Sequence, residues 1–228
     1  MNTTSLMPDI SEQWDRDGFL IVPAVVSPEQ CEKLKIEALH LLKEHARPGA
    51  SVYVGCAVVS NLFSDLVENP TVLDLLSQIM PDGIEFLSDK LVYKTATRSF
   101  ATPWHIDASY WKNTRPKLSV WIPFDDIGED TAALTLVPRS HKKEWSHQHA
   151  EGAKAEFEEF IRKEDIAVED VKICEIKRGT AVIFSDRLVH GSTPAAGTRE
   201  RYAIISTYHA PGNEEFDQQF KARKVLQA

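Results

Sequence analysis

In the stretch Thr-Pro-Trp-His-Ile-Asp-Ala-Ser-Tyr, residues 102 to 110, an imidazole, His105, and a carboxylate, Asp107, stand two residues apart. The stretch reads as a β-strand. Side chains alternate faces along a strand, so both groups point to one side and are able to grip a single metal ion. A third donor is required, and His190 in Asp-Arg-Leu-Val-His-Gly-Ser is the best candidate, with Arg201 eleven residues beyond it. Two imidazoles, one carboxylate and open coordination positions suit Fe(II) in oxygen chemistry. A His-x-Asp pair alone also arises by chance at an exposed strand end. Its surroundings favour the metal: Trp104 before it, and Tyr110 and Trp111 after it, supply the aromatic wall that a small-molecule pocket uses. Tyr110 and Trp111 are therefore candidate substrate contacts.

The elements that must hold these residues divide the chain in two. Gly18 to Pro23 reads as a short strand that its proline confines to an edge or an end. Ser27 as N-cap, Pro28 at the first helical position and Gln30 at capping-box spacing open a helix carrying Leu34, Ala38, Leu41 and Leu42 on one face. Asn69 and Pro70 open a second helix with Val72, Leu73, Leu76 and Ile79. From about residue 84 the pattern shortens to β-like runs: Ile84 to Tyr93, Thr102 to Asp107, Leu118 to Phe124, Ala133 to Val137, Val171 to Ile176, Thr180 to Phe184, Leu188 to His190 and Arg201 to His209. Between them, Phe157, Phe160 and Ile161 at i, i+3, i+4 predict a helical insertion over about 140–169, lying on the barrel mouth. The expectation is a mainly β protein with flanking helices. It is a single domain over 1–228, with a helical part at about 1–83 and a double-stranded β-helix, or jelly roll, at about 84–209. Such a fold brings early and late strands together, as His105 and His190 require.

Bulk properties narrow the partners. The 228 residues are 43% hydrophobic and 26% charged, with a net charge of −8 and no basic run, so no nucleic-acid footprint is present. No apolar run is long enough for a membrane span, and the first residues lack the pattern of a signal peptide; a cytoplasmic protein without a membrane partner is expected. Cys31, Cys56 and Cys174 are odd in number and widely spaced, which supports neither a disulfide framework nor a zinc-thiolate site.

Beyond single residues, four segments carry a resemblance: Trp-His-Ile-Asp-Ala-Ser-Tyr (104 to 110), Ser-Val-Trp-Ile-Pro-Phe-Asp-Asp-Ile (119 to 127), Leu-Thr-Leu-Val-Pro-Arg-Ser-His (134 to 141), and Gly-Thr-Ala-Val-Ile-Phe followed by Leu-Val-His-Gly-Ser (179 to 192). Together they resemble the phytanoyl-CoA dioxygenase family of Fe(II)/2-oxoglutarate-dependent oxygenases, over about Asp17 to Tyr208. The resemblance implies that His105, Asp107 and His190 hold iron and that Arg201 binds the distal carboxylate of 2-oxoglutarate. It also implies that Ser192 lends that carboxylate a hydroxyl and that Trp121 walls the co-substrate pocket. An arginine suits the task, because its planar fork matches a carboxylate. Arg199 competes for it; the family's spacing favours Arg201, whereas strand periodicity alone does not decide.

The implied reaction is hydroxylation of a small organic metabolite with release of succinate and CO₂. Desaturation, epimerisation or cyclisation by the same cofactor chemistry is the alternative outcome. Halogenating relatives have a small residue where Asp107 stands, which favours oxygen transfer here. The chain departs from the family at Ala132 and Arg139, where many members have glycine, so the shape of those turns is open. Two rival classes remain: a cupin-type metalloprotein without keto-acid chemistry, and a non-catalytic binding protein. His141, His147 and His149 form a weaker metal candidate. His40, His45 and His209 read as surface or rim residues, while Tyr53, Tyr93, Lys94, Arg98 and Trp145 are possible substrate contacts. Neither the substrate nor the oligomeric state is fixed by the sequence.

Overall fold

The computed structural model describes residues 9–46, 50–95, 101–111, 115–128, 130–149, 159–197, 199–212 and 224–227. The N-terminal half is built by capping. Asp9 accepts from Ser11 N and Glu12 N to open α1 (Ile10–Asp17), a helix that the polar start of the chain did not announce. Gly18 closes it with φ 79°, and a Cβ there would lie 2.3 Å from His141 Nδ1. β1 (Phe19–Val22) follows, then α2 (Pro28–Glu44), whose capping box joins Ser27 and Gln30 as expected. β2 (Val52–Val54), α3 (Cys56–Val59) and α4 (Asn61–Val67) lead to α5 (Pro70–Ile79), capped by Asn69.

The remaining strands are β3 (Ile84–Lys94), β4 (Lys117–Pro123), β5 (Leu134–Leu136), β6 (Gln148–His149), β7 (Glu159–Phe160), β8 (Lys172–Ile173), β9 (Ala181–Ser185), β10 (His190–Ser192), β11 (Arg201–His209) and β12 (Lys224–Gln227). A large antiparallel sheet runs β1-β9-β4-β11-β3-β12, with β2 also on β3; a small sheet runs β10-β5-β8. β1 lies on the edge that Pro23 demanded. α2, α4 and α5 bury Leu34, Ala38, Phe63, Val72 and Leu76 against the outer face of the large sheet, where Phe86, Leu118, Ile204 and Tyr208 meet them. The inner face packs Trp121, Val182, Phe184 and Ala203 against Leu134 and Leu136 of the small sheet. This is the jelly roll with helices backing one sheet that the sequence predicted.

Two expectations change. The segment Thr102 to Asp107 is no regular strand: His105 makes a single antiparallel bridge to His190, and Asp107 already begins a 3₁₀ turn, Asp107–Tyr110. The described part of 140–169 holds short 3₁₀ turns and the β6–β7 pair, Gln148 opposite Phe160, instead of a helix. Three apolar residues at helical spacing are too few to outweigh tertiary pairing; Phe157 lies outside the described residues, as does Arg98.

Candidate active site

His105 and His190 exchange both backbone hydrogen bonds, each 3.0 Å, which sets their side chains on the same face of the pair. Their ring centroids are 4.1 Å apart. His105 Nδ1 lies 2.9 Å from Pro103 O and His190 Nδ1 lies 2.9 Å from Leu188 O. A carbonyl only accepts, so each Nδ1 carries the proton and each Nε2 keeps its lone pair for the centre. Asp107 arrives from the turn, which Ala108 N anchors on Asp186 O at 2.9 Å. Its Oδ1 lies 3.6 Å from His105 Nε2 and 3.8 Å from His190 Nε2, while the Ser119 hydroxyl donates to Oδ2 at 3.3 Å. The three donor atoms lie within 4.8 Å of one another, the one such group among the described residues.

The electrostatics suit a cation. Burial, then the neighbouring His105 imidazole, pushes His190 down to about 4, so it is neutral at neutral pH. Burial opposes ionisation of Asp107, yet His190, His105 and Lys90 together hold its carboxyl below the usual carboxylate range. One anionic oxygen and two imidazole nitrogens thus converge, a donor set that fits a divalent transition metal.

Arg201 is buried at the start of β11, with its guanidinium carbon 5.5 Å from the Trp121 ring centroid. Nη1 donates to Ala132 O at 2.7 Å, and Nε is buried without a hydrogen-bond partner. Burial pushes the guanidinium down to about 10, so it stays charged at neutral pH. A buried charged fork with an unused N–H is what a carboxylate ligand would complete. Ser192 Oγ accepts from Lys94 Nζ at 2.6 Å and from Thr102 N at 3.0 Å. Lys94 is buried opposite Arg201 across the sheet, which adds a second cation that strand parity alone left among many substrate candidates. Arg199 lies apart: it is exposed and pairs with Asp130.

The aromatic candidates flank the centre. The Tyr110 ring stands 6.4 Å from that of His105, with its hydroxyl on Glu159 O at 2.9 Å, and Trp111 lies 5.2 Å from Lys117 Nζ. Ser119 escaped the sequence reading, since a serine in an apolar strand gives no signal of its own. His141, His147 and His149 form no metal-ligating group among the described residues; His141 Nε2 lies 3.3 Å from Asp15 O, against α1. His209 is fully buried, not a rim residue, and lies 3.2 Å from Glu85. A polar strand end looks the same from sequence whether it faces water or a barrel interior.

A jelly roll enclosing this donor set, with a buried arginine along one strand, defines the class of Fe(II)/2-oxoglutarate-dependent oxygenases. The family model described as Phytanoyl-CoA dioxygenase (PhyH) matches residues 14–203, and the chain belongs to that family. Relatives include the L-proline trans-4-hydroxylase of Streptomyces griseoviridis, 22% identical over 93% of this chain and 90% of that protein. The ectoine dioxygenase of Bordetella bronchiseptica is also 22% identical, over 92% of this chain and 77% of that protein. Among solved structures, the non-heme monooxygenase ThoJ superposes with TM-score 0.78 at 17% identity, covering 96% of this chain and 84% of that one. EvdO2 from Micromonospora carbonacea var. aurantiaca, complexed with 2-oxoglutarate, gives 0.70 at 19% identity, covering 92% and 96%. The carbocyclase SnoK gives 0.72 at 17%, covering 94% and 90%. The protein is an Fe(II)/2-oxoglutarate-dependent oxygenase.

Proposed function

We propose that this oxygenase hydroxylates a small organic metabolite, with His105, Asp107 and His190 as the iron ligands and Arg201 as the anchor of 2-oxoglutarate. The observation that carries the reading is the convergence of the Nε2 atoms of His105 and His190 with Oδ1 of Asp107, inside the barrel. When bound, iron and 2-oxoglutarate supply the oxidation: O₂ is consumed, the keto-acid becomes succinate and CO₂, and the second oxygen atom enters the substrate C–H bond. Pro103 O and Leu188 O hold the imidazoles in one tautomer. Ser119 occupies Oδ2 of Asp107 and leaves Oδ1 for the metal. Arg201, over the Trp121 ring, receives the distal carboxylate through its unused N–H, and Lys94 with Ser192 completes a cationic wall. Tyr110 and Trp111 flank the substrate. The retained carboxylate at Asp107 supports oxygen transfer over halogenation.

The chain acts as one domain, with no nucleic-acid or membrane partner; no helix among the described residues is long and apolar enough to cross a membrane. Three buried free cysteines support a cytoplasmic setting. Desaturation, epimerisation or cyclisation by the same cofactor chemistry is a second reading; the carbocyclase SnoK shares the fold. Turnover under isotopically heavy O₂ separates the two: the label enters the product on hydroxylation, and a dehydrogenated or cyclised product without label replaces the first reading with the second.

A further inference from the structure

Resting on that reading, we propose that the substrate is a small aliphatic carboxylic acid whose carboxylate is received by the Lys90 ammonium, on the β3 side of the metal centre and apart from the Arg201 anchor. Strand parity sets the direction of Lys90. It lies in the middle of β3, opposite Ile205 of β11, which in turn lies opposite Trp121 of β4. Residues directly opposite in an antiparallel pair share a face, and Trp121 and Ile205 belong to the inner apolar layer, so Lys90 also points into the barrel. Its chain neighbours turn the other way: Asp89 accepts from Cys56 N and Ala57 N at the start of α3, and Leu91 packs in the layer shared with the helices. Along the inner face of β3, Lys94 stands four residues beyond, about 13 Å, and is bonded to Ser192 at the Arg201 end. Ser88 stands two residues before, in the row of Ser119, the residue that touches Asp107. Lys90 is therefore one side-chain repeat, about 7 Å, from the row beside the metal ligands.

A gap is present on this face. In the centre of a paired sheet an inward side chain meets solvent only through the barrel, yet Lys90, Val92 and Ile205 are all partly exposed, whereas the outward Leu91 and Ile204 are 0% and 1% exposed. The opening lies toward β2. Val52 and Val54 stand opposite Val92 and Lys90 on the same face and are 40% and 57% exposed, which gives the cation an apolar rim. Lys90 makes no hydrogen bond or ion pair with any described residue. By contrast, the other two inward lysines of the large sheet are met by groups of the chain, Lys94 by Ser192 and Lys117 by Arg115 O. The Lys90 charge is felt at the centre: behind burial and the imidazoles it helps to hold Asp107 ionised, and behind burial and His105 it opposes protonation of His190. An ammonium without a partner, facing a gap within electrostatic reach of the metal ligands, is a station for an anion. Ser88 adds a hydroxyl on the same face, which suits a carboxylate, and the valines with Ile205 suit an aliphatic body. 2-Oxoglutarate is the other anion of the reaction. Its anchor, Arg201, lies over Trp121 on the β4 side of β11, whereas Lys90 lies on the β3 side.

The test is calorimetric binding to the anaerobic complex of enzyme, Fe(II) and 2-oxoglutarate. The probes are linear and cyclic aliphatic carboxylic acids, with and without an α-amino group, each paired with its primary amide. At least one acid should bind the wild type about tenfold or more tightly than its amide, the worth of one charge-assisted hydrogen bond, and should stimulate succinate formation once oxygen is admitted. Lys90→Met should bring that acid and its amide within about twofold of each other, while Lys90→Arg keeps the preference. The 2-oxoglutarate concentration that half-saturates the visible chelate band should differ by less than about threefold between the wild type and Lys90→Met. A rise as large as that in Arg201→Leu would assign Lys90 to the co-substrate and overturn the proposal. Equal binding of every acid and its amide by the wild type, binding of neither, or an acid preference that survives Lys90→Met also overturns it. If Lys90→Met fails to fold, Lys90→Gln is read in its place. Absence of the chelate band in the wild type overturns instead the reading on which the proposal rests.

Discussion

The two ends of β11 are both buried and both charged, yet they are built on different plans. At the Arg201 end the charge is cationic: a guanidinium over the face of Trp121 with its Nε–H unused, beside Lys94 bonded to Ser192. At the His209 end the signs are mixed, with Glu85, His209 and Lys117 in one cross-strand row. A single-sign pocket is completed by one generic anion, and the dicarboxylate co-substrate is the one proposed for it. At the mixed end the charges meet partners of the chain itself: His209 lies 3.2 Å from Glu85 and Lys117 Nζ donates to Arg115 O at 2.9 Å. The metal centre lies between the two plans, so each can be perturbed separately.

The largest effect should come from the centre that both ends serve. Asp107→Ala should lower succinate formation by more than about a hundredfold, because it removes the one anionic ligand; full turnover without added halide would take Asp107 out of the site. At the cationic end, Arg201→Leu should raise the KM for 2-oxoglutarate on the order of a hundredfold, as expected for a buried charge pair left half made. Arg199→Leu should stay within about twofold, since it removes an exposed pair; the opposite ranking would invert the comparison. Gly191→Ala should loosen iron by about tenfold. A Cβ there would lie 2.8 Å from Thr102 O and 3.3 Å from the Trp104 ring, and would push the His105 segment off His190. Smallest of all, Ala132→Gly should raise stability by about 1 kcal/mol in thermal unfolding, because Ala132 sits at φ 55° while its carbonyl holds Arg201.

That last residue shows what the sequence made legible. Alanine at 132, where the resemblance led one to expect glycine, marked an open turn; the structure keeps the left-handed backbone and bears its strain. Caps were read well, since Ser27, Gln30, Asn69 and Pro70 act within one turn of themselves. The His105–Asp107 pair does meet His190, as the spacing suggested, but one bridge and a 3₁₀ turn hold it in place of the expected strand. A single pairing with a residue far along the chain leaves no local periodicity. The row of Glu85, His209 and Lys117 was hidden for another reason: alternation announces two faces of a strand without saying which one the barrel encloses.

The most direct measurement is an anaerobic titration of the purified protein with Fe(II) and then 2-oxoglutarate, read in the visible spectrum. The wild type should develop the weak charge-transfer band of the iron–keto-acid chelate, saturating at one iron per chain, with Asp107→Ala failing to form it and Arg201→Leu requiring far more 2-oxoglutarate. No band in the wild type, or the same band at the same concentrations in all three proteins, would contradict a centre built from His105, Asp107 and His190 and anchored by Arg201.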